Sequence, residues 1–108
     1  MDLKISEMLE MQRALLAENP QWGAHTPENG VRQLLWLAGE LGEVIDVVKK
    51  QKIEEYMASG ASREHFVEEF CDVLMYFIDC LDCYKISPEE LSEAYKKKFG
   101  FNMTRDWE

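Results

Sequence analysis

Two acidic pairs, each set inside a strongly apolar helical run, constrain this chain more than any other feature. They are Glu40-x-x-Glu43 in the segment GELGE and Glu69-x-x-Asp72 in the segment EEFCD. Residues three apart on a helix share a face, so each pair aims two carboxylates the same way. Two such helices packed antiparallel bring four carboxylates to one place. Four anions cannot be held together without cations, and an all-oxygen donor set suits hard ions such as Mg2+ or Mn2+. The spacing therefore predicts a helical scaffold built around a divalent metal site.

The rest of the composition is compatible with that scaffold. A length of 108 residues predicts a single domain over 1–108. Twelve lysines and arginines stand against 21 aspartates and glutamates, a formal net charge of −9. Such a chain repels phosphate backbones, which argues against nucleic-acid binding through a basic face. An anionic substrate is still compatible, provided metal ions carry it in. Cys71, Cys80 and Cys83 all fall in one apolar helical run, where free cysteine behaves as a small hydrophobe. The lone Cys80-x-x-Cys83 has no second ligand pair and is read as core, not as zinc or redox chemistry. No apolar run reaches the roughly 18 residues of a membrane span, and the expected compartment is the cytoplasm.

Along the chain, Leu3 to Glu18 reads as a first helix ended by Asn19-Pro20. A loop bearing Trp22 and His25 follows. Thr26-Pro27 supplies an N-cap and a proline at the first helical position for a long second helix, running to about Lys52, with Lys52 to Ala61 as its candidate extension. Ser59-Gly60 breaks the chain, and Ser62 is the expected cap of a third helix reaching about Tyr84. Ser87-Pro88-Glu89-Glu90 is a capping box opening a short fourth helix, expected to close at Lys96-Lys97-Lys98 and Gly100. No strand pattern or repeat appears. The expected architecture is an all-α bundle.

At about 100° per residue, Leu34, Leu37, Ala38, Leu41, Val44, Ile45 and Val48 form one stripe of the second helix. Val67, Phe70, Cys71, Leu74, Phe77, Ile78 and Leu81 form the corresponding stripe of the third. Both stripes are expected to be core. The acids lie off them, among Trp36, Val47, Val73, Tyr76, Cys80 and Cys83, on a second, semi-apolar face. A merely solvated face would not carry tryptophan, tyrosine and cysteine between its acids. This second face is the expected oligomer contact. Asp46 and Glu68 stand at its edges as outer partners, whereas Asp79 and Asp82 are expected to be solvated.

E-x-x-E, a spacer of 25 residues, then E-x-x-D resembles the MazG-like all-α nucleoside triphosphate pyrophosphohydrolases, a group that includes dimeric dUTPases and dCTP pyrophosphatases. LLWLAGELGEVIDVVKK and EEFCDVLMYFIDCL look like the two metal-binding helices of that group. The tail KKKFGFNMTRDW is similar to its C-terminal K…N-x-x-R element. The resemblance implies a four-to-five-helix bundle assembled as a homodimer or homotetramer, with Glu40, Glu43, Glu69 and Asp72 binding Mg2+. It implies hydrolysis of a nucleoside triphosphate between the α and β phosphates, with Glu43 as general base. By the same likeness Lys98, Asn102 and Arg105 contact phosphates or sugar, Tyr76 meets the sugar or base, and Trp22 and His25 resemble base-pocket residues.

The chemistry suits these residues on their own terms. A triphosphate entering an acidic protein needs divalent cations as a bridge, and such ions lower the pKa of an attacking water. Arginine grips phosphate bidentately and lysine acts as a point charge. Lys50, two turns after Glu43 on roughly the same face, is a further candidate for the phosphates. The competing reading is a non-catalytic helical module that senses nucleotide or metal.

Overall fold

A computed structural model describes residues 1–106. Among these, the chain forms five α-helices: α1 (Ile5–Glu18), α2 (Pro27–Lys50), α3 (Ile53–Met57), α4 (Ala61–Cys83) and α5 (Pro88–Thr104), with a 3-10 turn over Pro20–Trp22. The all-α expectation holds. Among the described residues, no helix is long and apolar enough to cross a membrane.

The caps explain most boundaries. Thr26 Oγ1 accepts the Asn29 amide at 3.3 Å and Pro27 occupies the first helical position, so α2 starts as its sequence requires. At α5, the Ser87 hydroxyl accepts from the Glu90 amide at 3.1 Å, and the Glu90 carboxylate accepts from the Ser87 amide at 3.4 Å. α4 ends in a Schellman motif: the Ile86 amide returns to Leu81 and the Lys85 amide to Asp82, with Lys85 in the left-handed region at φ 58°. Ile86 then packs on Leu81, completing the motif's apolar contact.

Three boundaries differ from expectation. α2 does not run on toward Ala61. Gln51 and Lys52 are extended, and the Glu55 carboxylate accepts the Lys52 amide at 2.9 Å, starting α3 as a separate turn of helix. Ser62 caps nothing; α4 begins one residue after Gly60, whose φ of 139° reverses the chain. α5 passes through Gly100 to Thr104, where the Thr104 hydroxyl bonds back to the Gly100 and Phe101 carbonyls. A lysine run complements a helix end but does not by itself stop a helix.

α2 and α4 pack antiparallel. Trp36 meets Tyr76, Glu40 meets Asp72, and Gly30 lies under Tyr84, so the register runs in opposite senses along the two helices. At Gly30 a Cβ would stand 2.4 Å from the Tyr84 ring, so only glycine admits this approach. Two cores clamp the pair. Val44, Val47, Tyr56 and Phe66, with Val73, join α2, α3 and α4 at one end. Leu9, Ile78 and Leu81, with Ile5, Met8, Ile86 and Leu91, join α1, α4 and the start of α5 at the other.

This arrangement bears out only part of the expected division of the helix faces. Val44, Ile78 and Leu81 of the expected core stripes are buried as expected, but the semi-apolar face is packed as well: Val47, Cys80 and Cys83 are buried and Val73 packs on the core. Much of the stripe expected to be core is open instead, with Leu41 49% and Phe70 52% exposed, and Leu34, Ile45, Val48, Val67, Leu74 and Phe77 similarly accessible. Cys71, on that stripe, is exposed, whereas Cys80 and Cys83 are buried. Both helices carry two apolar stripes, and a helical wheel cannot say which one α1 and α3 will cover. Beyond Leu91, α5 leaves the core, with Tyr95, Phe99, Phe101 and Met103 all exposed.

Candidate active site

Between the two cores, α1, the loop before α2, α2 and α4 enclose a cavity of about 590 Å³. Its walls change character along α2. Glu40 and Glu43 line one end with Asp72; Gln33, Gln12, His25 and Asp79 line the other; Trp36 and Tyr76 stand between them. The positions 33, 36, 40 and 43 recur at helical spacing, which is why a single face of α2 carries them all.

At the acidic end, one oxygen each of Glu40, Glu69 and Asp72 lies within 4.8 Å of the others. All three side chains are half-buried. Burial, followed by the charges of Asp72, Glu69 and Glu43, pushes the Glu40 carboxyl above its ordinary range. His65 approaches Glu69 at 3.3 Å from the preceding turn. Three hard oxygen donors at this separation fit one or more divalent cations, and their mutual repulsion is what such an ion relieves. Glu43 lies outside the triad, exposed in the cavity wall. The expected quartet is thus a trio with a neighbour.

Trp36 and Tyr76 meet edge to face with ring centroids 6.1 Å apart, and Arg32 lies 5.3 Å from the centre of the Trp36 ring. Burial, then the charges of Glu40, Asp79 and Asp72, raises the Tyr76 hydroxyl pKa, so it stays a neutral hydrogen-bonding group. Trp22 also lines the cavity, half-exposed at its mouth.

The far end carries a second acidic cluster, and here expectation fails. Asp82 is buried. It accepts two hydrogen bonds from Arg13, at 2.8 and 3.0 Å, and pairs with His25 Nδ1 at 2.7 Å. Burial pushes its carboxyl up, but the hydrogen bonds from Arg13 and His25 and the charges of both outweigh it, leaving a net depression. Asp79 is half-buried, accepts from Gln12 Nε2 at 2.9 Å and stands 3.5 Å from His25 Nε2. Neither aspartate is simply solvated, because α1 and the His25 loop fold over this turn of α4. No spacing within α4 announces partners that arrive from 57 to 69 residues away. The neighbouring cysteines are core, as expected: burial pushes the Cys80 thiol up to about 11, so it remains protonated and unreactive at neutral pH.

Four substrate candidates stand away from the cavity. Lys50 is highly exposed and sits 3.7 Å from Asp46, one turn earlier on α2. Lys98, Asn102 and Arg105 lie on and just after the projecting part of α5; Lys98 and Arg105 approach the Phe101 ring at 5.3 and 5.9 Å. None of the four lines the cavity. The C-terminal element expected through Trp107 ends outside the described residues. Conversely, Gln33 and Gln12 are wall residues that sequence reasoning passed over, and Asp79 is one it expected to be solvated. The signal for Gln33 was available: it lies two turns before Glu40 on the acid-bearing face.

A family model described as dATP/dGTP pyrophosphohydrolase matches residues 32–108. No curated protein and no solved structure matches the chain. The matched region contains both acidic pairs, Trp36, Tyr76 and Gln33, but not α1 or the loop that carries Trp22 and His25.

Proposed function

The chain belongs to the dATP/dGTP pyrophosphohydrolase family, and from that premise we propose that it cleaves a purine deoxynucleoside triphosphate between the α and β phosphates, using Mg2+ held at Glu40, Glu69 and Asp72. The observation that carries this reading is the carboxylate triad, two of whose members, Glu40 and Asp72, line a cavity with aromatic walls. Mg2+ or Mn2+ held by Glu40, Glu69 and Asp72 would neutralise phosphate charge and lower the pKa of an attacking water. The protein's own residues do the rest. Glu43, held apart from the triad in the same wall, accepts the proton of the attacking water. As the new oxygen–phosphorus bond forms, the bond to the bridging oxygen breaks and pyrophosphate departs. Trp36, Tyr76 and Trp22 offer faces for the base and sugar.

The reading includes a partner, a second copy of the chain. The surface area is 8289 Å², against about 6200 Å² for a monomer of 12.6 kDa. The radius of gyration is 16.6 Å, against about 13 Å for a compact chain of this length. The excess surface includes the groove of about 700 Å³ lined by Leu34, Leu37, Leu41, Phe70, Leu74 and Phe77. An area excess of that order is what a stable dimer buries. Lys98, Asn102 and Arg105, carried outward on α5, then meet phosphates across the subunit boundary.

The deciding experiment is turnover of dATP and dGTP in 18O-labelled water with Mg2+, followed by phosphorus NMR. Label in the monophosphate and unlabelled pyrophosphate are expected. Orthophosphate as first product sinks the α–β assignment, and no hydrolysis of any nucleotide leaves a binding module.

A further inference from the structure

At the end of the cavity away from the triad, one polar atom stands without a partner among the described residues. Gln33 is 5% exposed and lines the cavity, yet its Oε1 meets no hydrogen-bond donor of those residues and has no access to solvent. Its polar neighbours are engaged: Gln12 with Asp79 at 2.9 Å and His25 with Asp82 at 2.7 Å. A buried carbonyl left unpaired costs stability that packing alone gives no reason to bear.

We infer that the Gln33 side-chain amide reads the base edge of the substrate and is what lets one pocket accept both adenine and guanine. This rests on the reading of the cavity as a purine deoxynucleotide site. Position supports it first. Gln33 precedes Glu40 by seven residues, about 10 Å along the helix axis, with Trp36 between them on the same face. With phosphates at the triad, a nucleotide lying along α2 places its sugar and ring system beside Trp36 and Tyr76 and its base edge at Gln33. A two-ring base spans that distance better than a one-ring base.

Hydrogen-bond chemistry supports it second. An amide offers one acceptor and one donor side by side. Adenine presents an amino donor beside the N1 acceptor, and guanine the O6 acceptor beside the N1 donor. The two edges are mirror patterns, and turning the terminal amide of Gln33 by half a turn matches either one. A carboxylate at this position would accept only. It would suit guanine, whose N1–H and amino group both donate, and would set an acceptor against adenine N1.

The test uses binding of the product monophosphates, so it does not depend on catalysis. Titration calorimetry with dAMP and dGMP should show the wild-type chain binding both with similar affinity. Gln33→Leu should weaken both by about tenfold or more, and Gln33→Glu should weaken dAMP by about that factor while sparing dGMP. A structural role could lower all affinities together but could not move the ratio. Thermal melts should place Gln33→Leu at or above wild type, because the orphan acceptor is gone. Unchanged affinities in Gln33→Leu, or an unchanged dAMP to dGMP ratio in Gln33→Glu, overturn the inference even if dATP and dGTP are cleaved. If Gln33→Glu does not fold, Gln33→Leu decides alone. Failure of the wild-type chain to bind either monophosphate overturns it as well. Binding with the expected ratios but without pyrophosphate release would keep Gln33 as the base reader and remove the hydrolase reading.

Discussion

One helix, α4, carries two acidic clusters within about four turns, and they are built on opposite principles. Asp79 and Asp82 are held by His25, Arg13 and Gln12, drawn in from α1 and the loop before α2. Glu69 and Asp72 gather with Glu40, and among the described residues no arginine or lysine forms an ion pair with them; His65 approaches Glu69 at the edge of the group. The first cluster is satisfied by the fold and ties elements together. The second leaves negative charge concentrated at the end of a cavity, where the fold derives no benefit from it. Counting acids does not separate structural from functional carboxylates; asking where their counter-charge comes from does.

The strongest way to break this comparison is to neutralise one acid in each cluster. Asp72→Asn should lower turnover by at least about 10³-fold, roughly 4 kcal/mol of barrier, while the metal-free protein melts at the same temperature or higher, since a like charge has left a crowded group. Asp82→Asn should do the opposite. It should cost about 3 kcal/mol of stability, because His25 and Arg13 lose a buried partner, while leaving the chemistry of the triad in place. Denaturant melts and steady-state rates on both variants check it. If the two variants swap phenotypes, the assignment of roles is wrong.

A second, smaller effect separates the clusters by ligand. Millimolar Mg2+ without substrate should raise the melting temperature of the wild type by binding only the folded state. It should do so little or not at all in Asp72→Asn, and fully in Asp82→Asn. A wild-type curve indifferent to Mg2+ would remove the preformed metal site.

The same contrast shows what could be read from the residues alone. Glu40, Glu69 and Asp72 were legible because helical spacing and apolar neighbours are local properties, and so were the caps at Thr26 and Ser87. The roles of Asp79 and Asp82 were not, because their partners are distant in sequence. The side of α2 and α4 that packs inside the protomer was illegible for a related reason. Both stripes are apolar, and α1 and α3 choose between them. That choice leaves Leu41 and Phe70 on the open side, so Leu41→Asp should convert the proposed dimer to monomer in light scattering, with a loss of activity larger at low protein concentration. A wild type that is monomeric at micromolar concentration would instead contradict the second copy.

Contacts on α5 should matter less than the triad. Arg105→Ala should raise KM with kcat little changed, by an amount set by one charge-assisted phosphate contact, about 1.5–3 kcal/mol. Lys50→Ala should do less, since Lys50 leans toward Asp46 and away from the cavity. An Arg105→Ala enzyme with normal KM would mean that α5 serves packing only.

The smallest effect is in the pH dependence of stability, where Asp82 and Glu40 should have opposite signs. The Asp82 carboxyl titrates below its ordinary 3.8 in the folded chain. Its contribution is therefore fully present above the unfolded value and is lost as pH falls through the folded one. The Glu40 carboxyl titrates above its ordinary 4.5, so the folded chain binds the extra proton. Stability then declines as pH rises from that value through the raised one. Metal-free wild type should accordingly show a stability maximum in the mildly acidic range, falling away on both sides. Mg2+ should lift the high-pH side, because the bound cation replaces the proton as counter-charge. Asp82→Asn should flatten the low-pH side, and Glu40→Gln should reduce the high-pH side, the remainder belonging to Asp79, whose carboxyl burial also pushes up. Melting curves collected across this range, with chelator and with Mg2+, would show whether each limb belongs to its own cluster. If Asp82→Asn alters the high-pH limb instead, the two clusters are coupled through Asp79 and the cavity they share, and cannot be treated as separate devices.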